Sequence, residues 1–84
     1  MESGWPWVIK ILREETQVSQ EELARELDVS FSSVSRWERG IGKPGRQLRR
    51  FIGQYYLRYK NDISEGYRKA IEEFFKKEKV RNFR

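Results

Sequence analysis

The 84 residues include no cysteine and no histidine. Without cysteine there is no disulfide, no thiolate metal site and no thiol nucleophile. Without histidine the commonest general base and the commonest zinc ligand are missing. A hydrolase triad and a zinc finger are thereby excluded, and neither a metal nor a cofactor is called for. Long apolar runs are lacking too. The longest uncharged stretches reach seven residues, as from Ser3 to Ile9, against the ~20 that a membrane-spanning helix needs. Glu2 stands where a secretory leader carries basic residues, and Lys10 breaks the short apolar run behind it. These features read as a soluble cytoplasmic protein with no membrane partner. With no repeat, no low-complexity run and no Gly/Ser linker, residues 1–84 read as one small domain.

What is present is aromatic and unevenly charged. Five Phe, three Trp and four Tyr within a 37% apolar share can build a modest core. The net charge of +5 conceals an asymmetry. Residues 1–38 carry 4 basic and 8 acidic side chains, residues 39–84 carry 14 and 5. From Arg39 to Lys60 there are seven basic residues and no acid. A one-sided basic block is a footprint for a polyanion, whereas a merely solvated helix face usually mixes both signs.

Apolar spacing is helical nearly throughout, and no useful alternating pattern suggests a strand. A first helix begins at Pro6, carries Val8, Ile9 and Leu12 inward, and stops near Thr16. Ser19 and Glu22 have capping-box spacing, with Val18 and Leu23 as the accompanying staple, and Leu23, Ala24 and Leu27 form the inner stripe. Ser30 caps the next helix, Val34 and Trp37 face inward, and Gly40 ends it. Only Asp28, Val29 and Ser30 separate these two helices, the spacing of a helix-turn-helix over about 20–39. A fourth helix shows Leu48, Phe51, Ile52, Tyr55, Tyr56 and Tyr59 on one face and Arg46, Arg49, Arg50 and Arg58 on the other. A last helix over about 63–80 has Ile63, Tyr67, Ala70, Ile71 and Phe74 as its stripe, with Asp62 and Glu65 at capping-box spacing. The fold class is all-α with five helices.

The run SQEELARELDVSFSSVSRWERGIGKP resembles the helix-turn-helix of Cro/repressor-type, lambda-repressor-like DNA-binding domains. The upstream IKILREETQV is similar to that family's first helix, so the resemblance covers roughly residues 8–57. Gln20, Ala24, Val29, Val34, Trp37, Glu38, Gly40 and the Lys43-Pro44 pair fall at family spacing. Asp28 departs from it, since the family usually has Gly in the turn. Asp tolerates the left-handed backbone better than most residues. The last helix lies outside the resemblance and reads as an extension.

The resemblance implies that the helix Phe31–Arg39 enters a major groove, with Phe31, Ser32, Ser33 and Arg36 facing base edges. Gln20, Arg39, Lys43, Arg46, Arg49 and Arg50 would then hold phosphates. Arg36 is the strongest candidate for direct readout, since its fork can take guanine O6 and N7 together. Ser32 and Ser33 reach little, so base specificity is expected to be modest. Phe31 either packs on a thymine methyl or serves as a satellite core residue or a dimer contact. Among the structural residues, Trp37, Ala24 and Val34 belong to the core, and Glu38 would pair with Arg13, as its family counterpart does.

Catalysis is not expected. The neighbouring carboxylates Glu14-Glu15 and Glu72-Glu73 point in different directions on a helix. Two apolar features leave alternatives open. Trp5 and Trp7 either close the core against the last helix or sit at an interface. The last helix, with Tyr67, Ile71, Phe74 and Phe75, either caps the core or forms a homodimer. One helix-turn-helix reads only one half-site, which favours pairing. The expected function is a sequence-specific, double-stranded DNA-binding transcriptional regulator. The alternative on the same fold is an antitoxin-like or adaptor module, motivated by Phe31, Trp5 and Phe75. A third option is sequence-independent nucleic-acid binding.

Overall fold

Pro6 lies in the first turn of helix α1, where its missing N–H costs no hydrogen bond. A computed structural model describes residues 4–81. Glu2 and Ser3, which entered the sequence argument, lie outside the described residues, as do the ends of the 1–84 domain. Five helices follow in order: α1 (Trp5–Glu15), α2 (Gln20–Leu27), α3 (Phe31–Glu38), α4 (Arg46–Tyr59) and α5 (Glu65–Lys77). A short 3-10 turn, Lys60–Asp62, joins the last two. Among the described residues there is no strand, and the all-α, five-helix reading holds.

Local chemistry fixes the helix starts around the turn. Ser19 caps α2 in a full capping box: Glu22 N–H donates to Ser19 Oγ at 3.0 Å and Ser19 N–H to Glu22 Oε1 at 2.8 Å. The bond from the Ser19 backbone holds the Glu22 carboxyl below its usual range. Ser30 caps α3 by accepting from Ser33 N–H at 3.2 Å.

The helix ends share one device. Val18, Val29, Ile41 and Val80 donate N–H bonds of 2.9–3.0 Å to carbonyls five residues back, at Arg13, Ala24, Arg36 and Phe75. Each follows a left-handed residue: Gln17 (φ 61°), Asp28 (58°), Gly40 (79°) or Lys79 (57°). These are Schellman endings, in which the apolar residue after the left-handed one usually folds back onto the helix. Val80 is buried, and Val18 and Val29 pack against the core. Ile41 does not follow them and is 51% exposed.

The core gathers Val8, Ile9 and Leu12 of α1, Leu23, Ala24 and Leu27 of α2, and Val34 and Trp37 of α3. Ile52, Tyr55 and Tyr56 of α4 join them, with Ile71, Phe74 and Phe75 of α5. Trp5 is buried and meets Phe74 edge-on, ring centroids 4.9 Å apart. Trp7 is partly buried and meets Tyr67 at 5.9 Å. The two tryptophans therefore pack α1 against α5.

Several expectations need correction. The Asp62–Glu65 capping box does not form: α5 starts at Glu65, with Ser64 as its N-cap and no side-chain cap bond. Ile63 is extended and buried, which carries the chain into the core and delays the helix. Ser64 N–H is instead taken by Glu15 Oε1 of α1 at 2.9 Å. The helix ends at Lys77 rather than near Val80, because Lys79 turns left-handed to bring Val80 inward. Phe51 and Tyr67, assigned to inner stripes, are 40% and 38% exposed. Leu48, Tyr59 and Ala70 are only half-buried. Trp5 and Phe75 are core rather than exposed aromatics. The apolar face of α5 is consumed by the core, which leaves little of it for pairing protomers.

Candidate nucleic-acid interface

Opposite Val34 and Trp37, helix α3 turns Phe31, Ser32 and Arg36 to solvent. Phe31 is 50% exposed, unusual for a residue of its size with core within reach. Ser33 lies at the edge of this arc, and its hydroxyl is within 3.0 Å of Ser30 Oγ. Its N–H already serves the cap, so Ser33 has less freedom to reach outward than Ser32.

Beneath this surface lies a polar tie. Arg13 Nε donates to Glu38 Oε2 at 2.7 Å and Arg13 Nη2 to Oε1 at 3.1 Å, a two-pronged pair between α1 and α3. Gln20 Nε2 donates to the same Oε1 at 3.0 Å, and Arg13 Nη1 to Val18 carbonyl at 3.4 Å. The bond to Glu38, outweighing partial burial, raises the Arg13 pKa, so the guanidinium stays charged throughout the accessible range. Gln20, a phosphate candidate, thus has its amide tied at the first position of α2. The tie orients α2 and α3 relative to α1.

The basic residues separate into free and engaged ones. Lys43, Arg46 and Arg50 are exposed. Arg39 is exposed at the end of α3, and its Nε reaches Ser35 carbonyl at 3.3 Å. Arg49 is turned inward: its Nε donates to Pro44 carbonyl at 3.0 Å and its guanidinium lies 5.3 Å from the Trp5 ring centre. Its Nη1 lies 3.5 Å from Glu78 Oε1. Arg58 pairs with Glu26 at 3.4 Å on the exposed surface between α2 and α4.

Residues 9–48 match the family model described as helix-turn-helix. This segment is a lambda-repressor-like, Cro/CI-type helix-turn-helix. A helix-turn-helix segment of this kind suggests a DNA-binding regulator in general terms. No curated protein and no solved structure matches the chain. Among the described residues no acidic cluster is placed to hold a metal ion, and no helix is long and apolar enough to cross a membrane.

Reading the sequence alone missed two features near the helix-turn-helix. Ile41 projects between two left-handed glycines, Gly40 and Gly42, directly after α3. An apolar residue bracketed by glycines in a basic loop was the available signal. Lys79 and Arg81 line the same groove as Arg46 and Arg50. Some thirty residues of sequence separate the two groups, so nothing local could have joined them.

Proposed function

We propose that the chain binds double-stranded DNA sequence-specifically as a transcriptional regulator, with α3 and its C-cap, Phe31–Arg39, in the major groove. Residues 1–84 act as one domain, in the cytoplasm and on the nucleoid if the host is prokaryotic. The observation that carries this reading is the exposed arc of α3, with Phe31, Ser32 and Arg36 directed away from a core that holds Val34 and Trp37. Arg36 reads a guanine, Phe31 and Ile41 contact thymine methyls or sugars, and Ser32 and Ser33 tolerate several bases. Lys43, Arg46, Arg50 and Arg39 hold phosphates. Gln20 and Arg49 contribute through the frame they brace more than through free donors. With so few long side chains on the arc, affinity comes largely from the backbone and specificity is modest.

Selection of bound duplexes from a random pool tests the reading directly. A consensus is expected, and Arg36→Ala should weaken binding to it by about 1–3 kcal/mol while relaxing one position. The slope of log K against log salt should lie near about −4 to −7 per protomer. Failure to bind any duplex at ~50 mM salt would sink the proposal. Pairing of two protomers rests on the avidity that two half-sites provide, and a palindromic consensus is its signature.

The protein-interaction reading keeps support from Phe31 and Ile41 alone, since Trp5 and Phe75 are core. A stoichiometric protein partner whose capture ignores Arg36→Ala would favour it.

A further inference from the structure

We propose that the groove between the start of α4 and the end of α5 is a second phosphate-binding channel, which follows the DNA backbone beyond the bases read by α3. Arg46, Arg49 and Arg50 line one wall and Lys79 and Arg81 the other, with Glu78 among them, around about 600 Å³. Glu78 is already matched by Arg49 at 3.5 Å. Among the described residues the other four cations make no ion pair. The groove therefore presents concentrated positive charge with its single carboxylate neutralised inside it.

The α5 wall is held in place. Val80 is buried and donates to Phe75 carbonyl at 2.9 Å, and Lys79 N–H donates to Lys76 carbonyl at 3.1 Å. Lys79 and Arg81 flank this anchor, so their backbone is ordered before any ligand arrives, which lowers the entropic cost of binding. The opposite wall is similarly fixed, with Arg49 bonded to Pro44 carbonyl. The first turn of α4 carries no acidic residue and no side-chain cap, so its N–H groups add partial positive charge to the same space. Paired guanidinium forks suit the two free oxygens of a phosphodiester.

A duplex backbone is the ligand that fits best, because Arg46 and Arg50 belong both to this groove and to the basic segment that follows α3. The inference rests on the duplex-binding reading above. It adds Lys79 and Arg81, which lie outside the matched segment 9–48.

The test is fluorescence anisotropy with a mixed-sequence duplex of about 30 base pairs, titrated from about 50 to 200 mM salt. The groove variant is Lys79→Asn with Arg81→Gln. Asn accepts the left-handed backbone at position 79, and both side chains are exposed, so the fold should persist by circular dichroism. A control, Lys10→Gln with Lys69→Gln, removes the same charge from exposed positions on α1 and α5. The groove variant should bind roughly tenfold or more weakly at ~0.1 M salt, with a slope shallower by about 2, while the control changes the slope by less than about 0.5. An unchanged slope in the groove variant overturns the channel while leaving the duplex reading intact. So does an equal loss in the control, which would make the effect one of net charge. If the wild-type chain binds no duplex, both readings fall together.

Discussion

Four helix endings place a residue in the left-handed region, and only one of the four is glycine. For a residue with a Cβ that conformation costs about 1–2 kcal/mol, less for Asp. Gln17 is exposed, so replacing it with glycine touches little else. Gln17→Gly should therefore stabilise the fold by about 0.5–1 kcal/mol, after allowing for the greater freedom glycine has when unfolded. Gly40→Ala should do the reverse, by about 1 kcal/mol. A Cβ at Gly40 would meet Pro6 Cγ at 3.8 Å, an ordinary contact, so the penalty comes from the backbone alone. Thermal unfolding should show shifts of opposite sign, of several degrees for a domain this size. Equal signs would mean that the endings are not under backbone strain. Asp28 is the intermediate case: it stands where the family has glycine and adopts the glycine conformation (φ 58°, ψ 47°).

At the scale of elements, the contact between α4 and α5 carries a pH dependence. The Tyr56 hydroxyl donates to Glu72 Oε2 across it. Burial, and then this bond and the carboxylate charge, push the Tyr56 pKa well above its ordinary value near 10. Because the folded value is the raised one, this contribution to stability is complete below about pH 10. It is lost as pH climbs from there towards the folded value, since the unfolded chain ionises first. Denaturant midpoints should therefore fall on going from about pH 9 to 11, and Tyr56→Phe should flatten that fall. Parallel declines in the two proteins would assign the effect elsewhere, for instance to Tyr55, which burial also raises. Elements whose ends rest on neighbours in sequence were legible: Ser19, Ser30 and Gly40 announce themselves because cap bonds span three to five residues. The start of α5 was not legible, because the group that satisfies Ser64 N–H is Glu15, 49 residues away. Periodicity likewise places Phe51 and Tyr67 on apolar faces without showing how wide a face the core can cover. Arg49 lies on the polar arc by count, yet Trp5 and Glu78 draw it inward. The solvent-facing arc of α3 was legible because Val34 and Trp37 fix its inner side. The groove was not, since it needs α5 docked.

For the molecule as a whole, the decisive question is whether the helix-turn-helix stands without α5, which lies outside the matched segment. Ile63, Ile71, Phe74, Phe75 and Val80 are all buried. At about 1.5–3 kcal/mol for each large apolar side chain, their removal forfeits roughly 7–15 kcal/mol. That is comparable to the whole stability of a small domain, about 5–15 kcal/mol. The loss extends further, because Trp5 and Tyr56 pack their rings against Phe74 and Phe75 and would face water. Arg49 would also lose Glu78, and the hydroxyl of Tyr56 its acceptor. A chain ending at Asn61 is therefore expected to lack a cooperative unfolding transition at 25 °C, although it retains every residue of the matched segment. Circular dichroism with a urea titration checks this. A truncated chain that still melts sharply would show α5 to be an appendage rather than part of the core. In the expected case, the solvent-facing arc of α3 depends on a helix that lies outside the matched segment. Mutations inside α5, such as Phe75→Ala, should then abolish DNA binding by unfolding α3 rather than by altering its chemistry.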